Sequence, residues 1–285
     1  MIELVNEVGV ELIDALASDN KVAMAAWVSN DMDSVERLDD QARVKGLINF
    51  LYRNKHMSPF EHGIFTYKVD VPLFVAREFH RHRTASYNEV SGRYTEMKPR
   101  FYAGDTARVQ KGKMGNYYFE EADADTTAFY KQSKYRSVKH SWTEYQERLA
   151  RGIAKEQARE DLPLSLMTQF YVTMNPRNLM QFLTLRNDKH ALKEIRDVAV
   201  QMETIFAEQM PYTHASYVKY RKAERDYMEA LFAAEEAEKQ ARKSGGMIQT
   251  MQQGTQYEIH VNTHTSVEDV QKAVNEAFNR MESRR

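Results

Sequence analysis

The chain has 285 residues, 42% of them hydrophobic, and its 40 basic side chains stand against 41 acidic ones for a formal net charge of −1. That content supports the core of one large domain or two smaller ones, and the charge balance argues against a general nucleic-acid coat, which carries excess positive charge. There is no cysteine, which excludes disulfides, thiolate metal sites and any cysteine nucleophile.

At the N-terminus, residues 1–20 carry acidic side chains where a secretory signal needs basic ones, so the chain reads as cytoplasmic. Nowhere do the roughly 20 apolar residues of a membrane span occur together. The first clear element is Ile64 to Val71, where apolar Phe65, Tyr67, Val69 and Val71 alternate with polar Thr66, Lys68 and Asp70. That period of two predicts a half-buried strand. Pro72 ends it and opens a helix from Leu73 to about His80. Arg81 to Tyr94 has no clear period and reads mostly as loop; Phe101 to Ala103 reads as a returning strand. A long helix is predicted from about Asp125 to Glu160, with Val138, Trp142, Tyr145, Leu149 and Ile153 on one face and Pro163 marking its end. Asn175-Pro176 pairs an N-cap residue with proline at the first helical position and starts a helix to about Leu185. Another covers about Lys189 to Gln209, with Leu192, Ile195, Ala199, Met202 and Phe206 inward. After Tyr220 the composition turns to Ala, Glu and Lys. Lys222 to Lys243 reads as an exposed helix, Ser244-Gly245-Gly246 as a hinge and Gln256 to Val261 as a strand, while Ser266-x-x-Asp269 resembles a capping box. The domains are therefore expected at 1–221 and 222–285.

Three segments concentrate chemistry. The densest runs from Arg77 to Tyr94. Its arginines, Arg77, Arg81, Arg83 and Arg93, outnumber Glu78 and Glu89. Arginine suits planar, bidentate recognition of phosphate or carboxylate, and Ser91 and Gly92 add a hydroxyl and an open backbone N–H beside Arg93. The same composition also fits a solvated basic loop or an RNA-contacting patch. The second segment is His56-Met57-Ser58-Pro59-Phe60-Glu61-His62. Two histidines and a glutamate raise the question of metal, but a spacing of six with proline between suits no helical ligand pair, and a locally hydrogen-bonded turn accounts for it. In the third, Leu179, Phe182, Leu183 and Arg186 fall at i, i+3, i+4 and i+7. Arg186 thus lies along an apolar stripe, where it needs an anion or acceptor-rich partner. Asp188, a neighbouring subunit or a ligand could each supply one.

The stretch Arg81-His82-Arg83-Thr84-Ala85-Ser86-Tyr87-Asn88-Glu89-Val90-Ser91-Gly92-Arg93-Tyr94 resembles the signature RHRxxSxNExSxRY of flavin-dependent thymidylate synthases and matches it at every fixed position. The likeness extends over about residues 1–220, including His56-x-Ser58-Pro59-Phe60-Glu61-His62, Asn175-x-Arg177-x-Leu179-Met180 and Leu185-Arg186-x-Asp188-x-His190. It implies an α/β (α+β) fold with a central sheet flanked by long helices, and a homotetramer whose active sites combine subunits. The activity it implies is methylation of dUMP at C5 to dTMP. Methylenetetrahydrofolate supplies the carbon, NADPH the reducing equivalents, and FAD carries the hydride.

Carried over by position, Arg81, His82, Arg83, Glu89, Asn175, Arg177 and Gln181 contact the flavin, with Ser58 coming from another subunit. His56 and His190 line the flavin and folate region. Glu78, Arg81, Glu89, Ser91, Gly92, Arg93, Arg159 and Arg186 form the nucleotide site, with Ser91 and Arg93 on its phosphate. Arg186 matches the family residue associated with ionisation at N3. No metal is implied. Without cysteine the pyrimidine must be activated by charge placed near its O2 and N3 rather than by attack at C6. Two positions depart from the family: Glu78 stands where Gln is common, a carboxylate needing neutralisation by Arg77 or Arg81, and Gln181 where Asn is common.

Overall fold

The computed structural model describes residues 1–29, 35–113, 116–243, 248–253 and 256–261. In chain order its elements are β1 (Glu3–Val5), β2 (Gly9–Ala15), α1 (Asp19–Trp27), α2 (Gln41–Arg53), β3 (Phe65–Pro72), α3 (Leu73–Phe79), β4 (Ser86–Glu89) and β5 (Arg100–Tyr102). There follow β6 (Arg108–Lys113), β7 (Asn116–Glu121), α4 (Ala124–Ala150), α5 (Lys155–Ala158), β8 (Met167–Met174), α6 (Pro176–Arg186), α7 (Lys193–Gln209), α8 (Pro211–Lys243), β9 (Ile248–Gln253) and β10 (Gln256–Val261). The chain divides into two compact units, Met1–Thr213 and His214–Arg285.

The centre of the first unit is an antiparallel sheet in the order β2-β3-β8-β4. β3 has the predicted alternation: Phe65, Tyr67, Val69 and Val71 are fully buried, while Thr66, Lys68 and Asp70 stay half-exposed. Each polar residue has a partner on that outer face. Thr66 meets Thr173 at 3.0 Å, Lys68 pairs with Glu11 at 3.1 Å, and Asp70 accepts both ends of the Arg100 guanidinium at 3.0 and 3.2 Å. The inner face packs on helices whose stripes follow the 3.6 period, notably Ile195, Val198, Ala199, Met202 and Phe206 of α7. Leu192, expected among them, precedes the helix and is exposed.

Other expectations shift for visible reasons. The helix expected to reach Glu160 ends at Ala150. Gly152 takes φ +77° there, its N–H bonds the Leu149 carbonyl, and the Ile153 N–H bonds that of Arg148, a Schellman ending. Ile153 is accordingly exposed, while Val138 and Tyr145 are buried and Trp142 packs half-buried against Phe101. Ser86–Glu89, read as loop, is a strand because β8 offers it an open edge. The last helix begins at Pro211, upstream of the compositional change at 222. Asp19 receives its first turn, accepting from the N–H groups of Tyr212 (2.8 Å) and Thr213 (2.9 Å) and from the Thr213 hydroxyl (2.6 Å).

In the second unit, β9 and β10 form an antiparallel pair, Gln256 opposite Gln253 and Val261 opposite Ile248, which includes the strand expected at Gln256–Val261. The expected hinge at Ser244-Gly245-Gly246 and capping box at Ser266–Asp269 lie outside the described residues.

Candidate active site

α3 leaves β3 at Pro72 and delivers Glu78 at its end, followed by Arg81, His82 and Arg83 in the turn before β4. Tyr87 ties this turn down, its hydroxyl donating to the carbonyls of Phe79 (2.8 Å) and His82 (3.0 Å). Burial pushes that phenol up to about 12. Facing the turn is α6. Asn175 caps it by accepting from the Asn178 N–H (2.9 Å), and the Asn178 amide donates to the Thr84 carbonyl (2.8 Å). Phe182 stacks on Phe79 and meets the His82 ring edge-on at 4.8 Å. These contacts hold a cleft of about 850 Å³ between turn and helix, lined by Arg81, His82, Arg83, Asn175, Arg177, Gln181 and Arg186 among others. All seven were singled out from the sequence.

Arg186 is the best-held cation of the cleft, its side chain 17% exposed. Nη1 pairs with Glu78 Oε2 at 2.7 Å, Nη2 donates to the Glu78 carbonyl at 3.2 Å and Nε donates to His82 Nε2 at 2.9 Å. Three of its five N–H groups are thus engaged and two remain for a ligand. Within the chain the partner is Glu78 rather than Asp188, which takes His190 at 2.9 Å. Glu78 is neutralised by Arg186, rather than by Arg77 or Arg81 as expected. Desolvation first, and then the Arg186 charge, lower the His82 pKa to about 4. The ring is therefore neutral near pH 7, and because Nε2 accepts from Arg186 its proton sits on Nδ1.

Glu61 also lines the cleft and pairs with Arg177, which joins the second and third sequence segments. That contact uses the carboxylate that had raised the question of metal. Among the described residues no group of three or more His, Asp or Glu side chains is arranged to hold a metal ion.

The remaining candidates stand outside this lining. Arg93 pairs with Glu156 at 3.0 Å, and Ser91 Oγ accepts from the Arg93 N–H at 3.3 Å. Gly92 is buried because Arg159 lies over it: a Cβ there would come within 2.9 Å of Arg159 Cδ and of Met97 Sδ. Ser91, Gly92, Arg93 and Arg159 thus form a second basic group. Glu89 accepts from Thr168 at 2.6 Å and lines a separate depression of about 380 Å³ with Lys68, Asn88 and Gln169. Ser58 and His56 are exposed beside Glu61, the His56 ring edge-on to Phe50 at 5.9 Å, and His190 is 77% exposed.

Glu61, Asn178 and Thr168 were not named as site residues. The i, i+3 spacing of Asn175 and Asn178 is a readable signal for one of them. Thr168 had none, since β8 itself was not foreseen.

The cleft suits a large anionic cofactor. Its volume lies in the range of small-molecule sites. Arg81, Arg83 and Arg177 offer positive charge to an anionic group, and Asn175, Asn178 and Gln181 offer amides as hydrogen-bond partners.

Residues 11–212 match the family model described as thymidylate synthase complementing protein. A Streptomyces coelicolor protein named flavin-dependent thymidylate synthase is 42% identical over 230 residues, covering 76% of this chain and 93% of that protein. A Thermotoga neapolitana protein of the same name is 40% identical over 211 residues, 74% of this chain and 91% of that one. Among solved structures, the UMP/dUMP methylase PolB from Streptomyces cacaoi bound with 5-Br UMP superposes with a TM-score of 0.71 at 40% identity, over 77% of this chain and 97% of that chain.

Proposed function

We propose that this chain, which belongs to the flavin-dependent thymidylate synthase family, methylates dUMP to dTMP, with methylenetetrahydrofolate as carbon donor and NADPH as reductant. The observation that carries this is the single cleft in which the signature residues Arg81, His82 and Arg83 meet Asn175, Arg177, Gln181 and Arg186. FAD bound there would supply carriage of the hydride from NADPH. Arg81, Arg83 and Arg177 would hold its phosphates, and Asn175, His82 and Gln181 would hold its polar edge.

Arg186 is the catalytic residue. Its two unengaged N–H groups meet the pyrimidine at O2 and N3 and stabilise the negative charge that builds when the ring is activated without a thiol. The Glu78 carboxylate and the His82 acceptor behind it keep the guanidinium aimed. Ser91, Gly92, Arg93 and Arg159 take the nucleotide phosphate. Since they do not line the same cleft as Arg186, the reading includes a homotetramer whose sites draw on more than one subunit, with Ser58, His56 and His190 completing the flavin and folate side. It also includes a catalytic domain at 1–221, an extension at 222–285 and work in the cytoplasm.

Release of tritium from C5-labelled dUMP, with methylenetetrahydrofolate and NADPH and with or without FAD, tests it. Release that needs FAD is expected. No release and no NADPH oxidation from folded, FAD-supplemented protein would refute it. A parallel arm with UMP is warranted because the solved neighbour acts on both nucleotides. Turnover of UMP would widen the substrate to both sugars.

A further inference from the structure

A buried hydroxyl stands behind Glu89. Thr168 is 2% exposed, and its Oγ1 donates to Glu89 Oε1 at 2.6 Å. The strand register creates this contact. Glu89 lies opposite Phe170 in the β4–β8 ladder, which runs one step further as the Val90 N–H donates to the Gln169 carbonyl at 2.9 Å. Residues two apart on a strand share a face, so Glu89, Phe170 and Thr168 lie together on the inner side. Phe170, Val172 and Met174 on that face are buried and apolar. Valine would fill the Thr168 position with a similar branched shape and no polar atom to satisfy. What threonine adds is a donor, and it spends that donor on a carboxylate, the stronger kind of acceptor. The bond engages one oxygen of Glu89 and restricts its rotamer. The other oxygen, Oε2, lies 3.8 Å from His80 Nε2, beyond hydrogen-bond length.

We infer that Thr168 is a positioning residue, fixing Glu89 so that its second carboxylate oxygen is presented to a hydroxyl or N–H of the bound nucleotide or flavin. This rests on the reading above that Glu89 touches one of those ligands. The pre-set rotamer spares the complex the entropy of ordering Glu89 on binding.

The test uses FAD-loaded full-length protein carrying Thr168→Val, Thr168→Ser or Glu89→Gln, with dissociation constants for dUMP by calorimetry and for FAD by fluorescence, and thermal unfolding of each variant. Thr168→Val should weaken at least one ligand about tenfold, the value of one hydrogen bond near 1.4 kcal/mol. Thr168→Ser, which keeps the hydroxyl, should stay within about twofold of wild type. Equal losses in the Val and Ser variants, or wild-type affinities in Thr168→Val, overturn the proposal. If Thr168→Val does not fold, Thr168→Ala takes its place with the same expectations. Glu89→Gln separates the two levels. Wild-type affinities there remove Glu89 from the site and the proposal with it. Weakened binding there with none in Thr168→Val removes only the positioning role.

Discussion

Arg186 touches three acceptors of different kinds, and this decides the state of its neighbour. With Nε–H aimed at His82 Nε2 and the ring partly buried, protonating His82 is costly, and its pKa falls to about 4 from an ordinary 6.5. The Glu78 charge opposes the shift without cancelling it. The consequence for stability has a definite sign. Between pH 4 and 6.5 the unfolded chain binds a proton at this histidine that the folded chain does not, so stability falls as pH drops through that window. Above it the group contributes no slope. Urea midpoints should therefore decline from pH 6.5 to pH 4, and decline less in His82→Gln. Equal slopes in the two proteins would assign the effect to another group. The arginine on an apolar helix stripe was legible from spacing alone. Its partner was not, because Glu78 lies 108 residues away in the chain and no local pattern links them.

At the scale of elements, a buried hydrogen-bonded junction lies at the start of α8. Asp19 opens α1 yet spends its carboxylate on another helix, accepting three hydrogen bonds from Tyr212 and Thr213. It is buried, so removing it strands three donors away from water. Asp19→Ala should cost about 2 kcal/mol, read as a lower urea midpoint with unchanged slope, and a loss under about 0.5 kcal/mol would show that water replaces the cap. β3, α3 and α6 were readable because each carries its own signal: a period of two, a proline at a boundary, or an N-cap followed by proline. β8 was missed although Phe170, Val172 and Met174 alternate, since exposed Tyr171 blurs the pattern. β4 was missed because a four-residue strand exists only through its neighbour. α4 was overextended because its stripe continues to Ile153, past the glycine that ends the helix.

For the whole molecule, the two basic groups set the main expectation. Arg186 belongs to one cleft, and Arg159 lies over Gly92 elsewhere on the chain. If sites form between copies, Arg186→Ala and Arg159→Ala should each be inactive alone. Mixed and re-equilibrated, they should regain a fraction of wild-type tritium release, because some sites then draw Arg186 from one chain and Arg159 from the other. No recovery in confirmed mixed oligomers would place both arginines in one chain's site.

By itself the sequence determined the signature residues, the absence of a thiol and the buried face of the central strand, because these depend on residue type and on spacings within a few positions. Only the tertiary structure decided that Glu78 answers Arg186, that Glu61 answers Arg177, that Asp19 caps a helix nearly two hundred residues downstream, and that a threonine backs Glu89. Each of those is a pairing of charge or hydrogen bond across long chain separation, and such pairings are chosen by how strands register and helices pack, which no local period encodes.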